Sequence, residues 1–355
     1  MVAPHSKRLQ FQWKASVVLM GLVLLSGCFG HTGLKANINE YRTRLARVLD
    51  SPIAPADADK HTLRYPSVSE RVVNVTPVNI NLRNFYAIQD CELGRIVAQR
   101  NTVLGKTQLP SQRFAYEQKL GTVLANCEEK VSKNNKQLAA LINNWREQKR
   151  AQWPQIWAQL IQNSSEMKQG LSLASSLLEV ESSSQISSSV NALYYLDSLA
   201  HRSDKVGAFN SNHLEAQLRT LSNSRLPAKL WLTQQLLTNE LTTLTGALKR
   251  PLASVNCPKG RASEKAKVLR NVFYLFFIEK IQPVGSKLNQ IHYQLAPLWQ
   301  RWVASDALSP AFKQFIATHA HEGFSEYQDA MHEHVRLWQD FLGRCNLAPV
   351  AVSRL

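Results

Sequence analysis

Residues 91–127, CELGRIVAQRNTVLGKTQLPSQRFAYEQKLGTVLANC, open and close on cysteine and read as helix, tip, helix. Phe85, Ile88, Ile96 and Val97 fall on one face of the first helix, which starts near residue 81. Gly105 can supply the left-handed residue that ends it. Ser111, after Pro110, is placed to cap the start of the second helix. Cys91 lies 13 residues before Leu104, and Cys127 lies 16 after Ser111. At about 1.5 Å per residue these are roughly 20 and 24 Å from the tip, so the two thiols come level across an antiparallel pair. A bridge there would stabilise the fold by about 4 kcal/mol in the chain-entropy account.

The helical period continues outward from this hairpin. Glycine and proline number 14 each in 355 residues, and strand-type alternation is rare. The pattern predicts helices over 81–104, 111–131, 133–163, 169–180, 188–202, 211–223, 226–249, 262–281, 284–304, 308–319 and 322–343. Pro154 should split the third of these after Trp153. The Ser-rich stretch ESSSQISSS, residues 181–189, breaks the pattern and is the candidate seam between two lobes. NVFYLFFI, residues 271–278, is apolar all round and too short to cross a bilayer, so it reads as a buried central helix. In the last helix Phe324, Tyr327, Met331, Val335, Trp338 and Leu342 form a core stripe. Residues 51–80, with Pro52, Pro55, Pro66 and Pro77, form an extended connection. Within it RVVNVTPVNINL has β character that Pro77 limits to an edge.

The first 27 residues read as a signal. Lys7, Arg8 and Lys14 precede the apolar run from Ala15 to Leu25, which is too short to span a bilayer. The run ends at Leu25-Ser26-Gly27-Cys28, which resembles the bacterial lipoprotein signal. That resemblance implies cleavage before Cys28 and lipid on its thiol. Phe29, rather than Asp, favours the outer membrane, on its periplasmic side. Residues 28–50 are then the anchor, a short tether and a first amphipathic helix. That helix carries Ile38, Tyr41, Leu45 and Val48 on one face, and Lys35, Arg42, Arg44 and Arg47 elsewhere. Two placements stay open for it: on anionic headgroups, or packed on the body. The helical domain occupies residues 81–345, and 346–355 form a tail.

In the oxidising compartment that this signal implies, the remaining cysteines are Cys91, Cys127, Cys257 and Cys345. Three pairings exist; proximity and the hairpin favour Cys91–Cys127 and Cys257–Cys345. No C-x-x-C spacing supports zinc. Net charge is +16, and +13 without Lys7, Arg8 and Lys14. A basic periplasmic protein meets phospholipid headgroups, lipopolysaccharide phosphates or peptidoglycan carboxylates. Nucleic acid is disfavoured by compartment, not by charge.

The hairpin carries a further pattern: Cys91, Arg100-Asn101, Leu104-Gly105-Lys106, Pro110-Ser111-Gln112-Arg113, Tyr116-Glu117 and Cys127. In these residues the chain resembles a family of uncharacterised gammaproteobacterial lipoproteins, a domain of unknown function. The likeness runs from the lipid-attachment box nearly to the C-terminus and implies no reaction. Physically, Arg100, Lys106 and Arg113 bring three cations to one tip, and Asn101, Ser111 and Gln112 add neutral donors. Free N–H groups at the second helix start also favour an anion. Against a phosphate or carboxylate site stands a structural use: Glu117 pairs with Arg113 at i, i+4, while Arg100 and Asn101 cap carbonyls. Capping and pairing are the commoner uses of these residue types, so that use takes precedence.

Other clusters were weighed. HAHEGFSEYQDAMHEH, residues 319–334, holds His319, His321, His332 and His334 with Glu322, Glu326, Asp329 and Glu333. Only Asp329 and His332 share a helix face at ligand spacing, so no metal is assigned. Ser165-Glu166-Met167-Lys168 matches S-x-x-K but lacks its K-T-G partner and its sheet, and is rejected. Residues 249–270 carry Lys249, Arg250, Lys259, Arg261, Lys265, Lys267 and Arg270 against Glu264, either a docking patch or a solvated loop.

The expectation is therefore an all-α multi-helix bundle, stapled by two disulfides. It would be a non-enzymatic envelope binding or scaffold protein anchored to the membrane by lipid. The rival is a hydrolase or metal-dependent enzyme with its site between two lobes. No catalytic residue, cofactor or metal is assigned, and the oligomeric state is left open.

Overall fold

A computed structural model describes residues 33–57, 63–179, 183–201 and 209–348. The signal segment, Cys28 and the tether lie outside these residues, as does the tail beyond 348. Fifteen α-helices and no strand occur among the described residues. In order they are α1 Leu34–Leu49, α2 Leu82–Ala87, α3 Glu92–Arg100, α4 Val103–Lys106 and α5 Pro110–Ser132. There follow α6 Lys136–Ala151, α7 Trp153–Asn163, α8 Ser165–Ser172, α9 Ser183–Ser198 and α10 Ser211–Ser224. The last five are α11 Leu226–Ser254, α12 Glu264–Val272, α13 Gln282–Ala304, α14 Pro310–Ala317 and α15 Gly323–Arg344. Two π-helical segments, Phe273–Ile281 and Thr318–Glu322, join α12 to α13 and α14 to α15.

The main core surrounds α11, against which α15, α8 and α1 pack. Trp231, Trp299, Trp302 and Trp338 are all fully buried in it. The apolar stripe of α1 is packed on the body, which closes the choice left open by its sequence. Ile38, Tyr41 and Leu45 are at most 1% exposed, and Arg42 pairs with Glu240 at 2.6 Å. A helix that buries this face has no apolar stripe left for a membrane surface.

Inside the core, His334 ties three elements. Trp338 Nε1–H donates to its Nε2 at 3.2 Å, which assigns the ring proton to Nδ1, 3.0 Å from Thr245 Oγ1. The Tyr41 hydroxyl lies 3.1 Å from Nε2. Burial pushes the His334 pKa down to about 3.

Both expected disulfides are present, Cys91–Cys127 and Cys257–Cys345, with Cα–Cα distances of 5.6 and 5.2 Å. The second holds the loop after α11 to the end of α15. There Arg344 donates to the carbonyls of Val255 and Leu252 at 2.9 and 2.7 Å, and is spent internally. The helix holding Pro154 is split, but at Gln152, before Trp153 rather than after it, which places Pro154 in the first turn of α7.

Four further local expectations are corrected. Residues 81–104 form three short helices, because Asn81 caps α2 and a second start follows at Cys91. The helix expected at 169–180 is α8, which ends at Ser172, and Leu178 N–H then donates to Thr233 Oγ1. The Ser-rich stretch does not break the pattern from residue 183 on: α9 runs through it. Ser188 and Ser189 hydroxyls donate back to the carbonyls of Ser184 and Gln185, so their polarity is absorbed within the helix. The main core is continuous across that stretch, from Leu171 through Ile186 to Leu214. Finally, the apolar run near 275 is half-buried. The wide π turn lines up Phe273, Phe277 and Ile281 inward and leaves Leu275 49% exposed.

Candidate functional site

A second, smaller core sits beside the main one. Ile88, Leu93, Ile96, Leu120, Leu124, Ile142 and Trp145 from α3, α5, α6 and the turn before α3 form it, around Cys91 and Cys127. Between this three-helix unit and the extended segment 73–80 lies an open cleft of about 730 Å³. Its floor is apolar (Ile80, Ile88, Leu93, Val97, Leu120, Leu124). Four cations line it: Arg100, Lys106, Arg113 and Lys149. The described residues lining the cleft include no carboxylate, histidine, cysteine or serine.

The hairpin motif supplies most of this wall. Arg100, Asn101, Lys106, Arg113 and Tyr116 all border the cleft. Arg100 donates to the Gly105 carbonyl, and its guanidinium lies 6.0 Å from the Tyr116 ring. Arg113 sits over the same ring at 5.4 Å. Burial, then the neighbouring Arg113, lowers the Arg100 pKa. Burial and nearby Glu117 push Tyr116 up to about 12, so its phenol stays protonated at neutral pH. Lys106 is exposed, with no anionic partner among the described residues.

Behind the wall stands Glu117, its side chain 3% exposed. It pairs with Arg113, one turn earlier, and with Lys149 of α6 at 3.2 Å. Ser111 and Gln112 stay out of the cleft. Ser111 is buried, and Gln112 accepts from the Leu109 N–H at 3.1 Å. The structural use expected of the motif is thus real for Glu117 and Arg100, and Gln112, expected as a neutral donor, is also spent on the helix start, while the cations face open space. Two cap assignments change. The second hairpin helix starts at Pro110 with Leu109 at its cap position, not Ser111. Gly105 lies within α4 and lacks a positive φ. A Cβ there would run into the Gln99 and Arg100 carbonyls, so close backbone approach is what requires glycine.

Sequence does not single out Lys149 or Gln108, and it marks 73–80 as an extended, edge-type segment without placing it at the cleft. Lys149 did leave a signal, since it continues the buried stripe of Leu138, Ile142 and Trp145 at helical spacing. A lysine on an apolar stripe needs a partner, and that partner is Glu117.

The other clusters do not assemble. Among the described residues no three His, Cys, Asp or Glu side chains stand close enough to hold a metal ion. His334 is turned into the core, and His319 stacks on Trp231. Ser165 Oγ donates to Glu166 at 3.0 Å. Within residues 249–270, Lys267 pairs with Glu264 at 2.7 Å.

Fold and cleft together define an all-α, disulfide-stapled protein with a cation-lined groove beside its smaller core. The chain belongs to the family described as Protein of unknown function (DUF3080), whose family model matches residues 38–349. No curated protein and no solved structure matches it.

Proposed function

We propose that this is a non-enzymatic binding protein of the bacterial cell envelope. It is held to the periplasmic side of the outer membrane by lipid on Cys28, and it takes an anionic envelope component into the cleft. The observation that carries the reading is the charge balance. Four cations line the cleft, and the one carboxylate at that wall, Glu117, is buried and already shared by two of them. Arg100 and Lys106, which Glu117 does not engage, therefore keep positive charge available to a ligand, with the Asn101 and Tyr116 side chains as neutral partners. A hydrolytic cleft needs a general base, and the described lining holds no carboxylate or histidine to serve as one. The lipid anchor rests on Leu25-Ser26-Gly27-Cys28, and the outer-membrane destination on Phe29.

Titrating the full chain, purified in mild detergent, with citrate tests the cleft. Binding should weaken as salt is raised and fall about tenfold or more when Arg100 and Lys106 both become Gln, roughly the loss of two partly solvated charge-assisted contacts. Binding indifferent to salt and to both substitutions would refute the reading. Fractionation of a Cys28→Ser variant tests the anchor separately; unchanged membrane association would refute it.

A further inference from the structure

The opposite wall of the cleft, residues 73–80, belongs to no helix and no sheet. Its burial alternates as in an extended chain: Val73, Val75, Val78 and Ile80 are half-buried, while Asn74, Thr76 and Asn79 are exposed. Pro77 marks the change of register. Among the described residues none of these eight makes a main-chain hydrogen bond to another main chain. Among the described residues, two of their carbonyls are held by side chains: Val73 accepts from Gln159 at 3.1 Å and Thr76 from Gln152 at 2.8 Å. All eight residues border the cleft, half-buried and exposed ones alike. A strand that presents a face to a space shows it every second residue; one that presents its edge shows it every residue.

An unpaired edge next to a groove is the geometry in which an extended peptide adds as a further strand. The charge on the facing wall selects which peptide. We infer that the cleft takes a short, extended peptide bearing carboxylates: its main chain pairs with the 73–80 edge, and its carboxylates meet Lys106 and Arg100. This rests on the proposed anion-binding role and specifies the ligand. An acyl chain fits less well, because it would leave the cations of the wall and the main-chain edge without partners. Pro77, with no N–H, leaves a gap in the ladder, so pairing falls into two short runs around it.

The test uses the full chain in mild detergent and three probes: an acetylated peptide alternating alanine and glutamate, its twin N-methylated at alternate amides, and citrate. Affinity is read by calorimetry, and location by amide shifts of Asn74, Val75, Val78, Asn79 and Ile80. The peptide should bind, shift those amides, and weaken about tenfold or more on N-methylation, as expected when several main-chain bonds are lost together. Lys106→Gln should weaken it further. A protein-side check is Val75→Pro, which deletes one edge N–H and should weaken the peptide while sparing citrate. If both peptides and citrate bind alike and all weaken in Lys106→Gln, edge pairing is overturned and the anion-binding role stands. If none of the three binds, both readings fall.

Discussion

Glu117 is the residue on which the hairpin turns. Its carboxylate is buried between two cations that are themselves partly exposed, Arg113 and Lys149. Glu117→Gln leaves both without a partner and should lower stability by about 2 kcal/mol, below the figure for fully buried pairs because solvent screens the cations. Urea unfolding measures this. The Arg113 contact was legible at i, i+4. The Lys149 contact was not, because it joins residues 32 apart and only packing decides which helix faces α5. Histidine gives the second expectation at this scale. Burial holds His334 near pKa 3 and His292 and His319 near 4, against 6.5 in an unfolded chain. Above about 6.5 neither state takes a proton, and their contribution to stability is complete. Below it the unfolded chain protonates and the native one does not. Stability should therefore fall as pH drops from 6.5 towards 4, by up to about 1.4 kcal/mol per unit for each histidine. A flat urea midpoint over that window would contradict the buried, neutral assignment. Sequence placed His334 in a polar cluster; its neighbours on α15, Ala330, Trp338 and Phe341, would have put it on the core stripe instead.

The elements divide into those that periodicity reveals and those that it does not. The hairpin with its disulfide, the break near Pro154 and the C-terminal stripe were legible because each rests on local spacing; Cys257–Cys345, 88 residues apart, followed once the hairpin cysteines were paired. The edge segment 73–80 was legible as extended, and its proline was read as limiting it to an edge. Its place opposite the motif was not, since nothing local encodes what an unpaired strand lies beside. Ser-rich α9 misled because serine favours breaks in isolation, yet accepts a helix once its hydroxyl bonds back one turn and its apolar neighbours are buried. Changing Cys91 and Cys127 to Ser should remove about 4 kcal/mol from the smaller core in the chain-entropy account. Because that core is a separate cluster, the loss should be local. Hydrogen exchange should accelerate in α3, α5 and α6 while α11 and α15 keep their protection. Uniform acceleration would mean the two cores open as one.

The whole molecule is closed by its first helix. Tyr41 reaches His334 and Arg42 reaches Glu240, so α1 is a structural part of the main core. A chain starting at Ser51 should lose its near-ultraviolet dichroism and bind hydrophobic dyes, whereas one starting at Phe29 should fold. Dye binding equal in the two would show α1 to be dispensable. Sequence left the face of α1 undecided between membrane and body, because an amphipathic stripe says that a surface must be covered and not by what.

That closure also sets a schedule. Polypeptides emerge N-terminus first, yet the partners of α1 lie far downstream: Tyr41 and His334 are 293 positions apart, Arg42 and Glu240 198. The first helix must wait, uncovered, until most of the chain has been delivered. Loop-closure entropy over such separations is met before any contact rewards it, which slows the final step. The smaller core has no such delay, since its hairpin closes within 36 residues. Refolding should therefore run in two kinetic phases, a fast one in the disulfide hairpin and a slow one in which α1 docks. For most of its folding time the chain would carry a bare apolar helix at its leading end, a natural target for a holding chaperone.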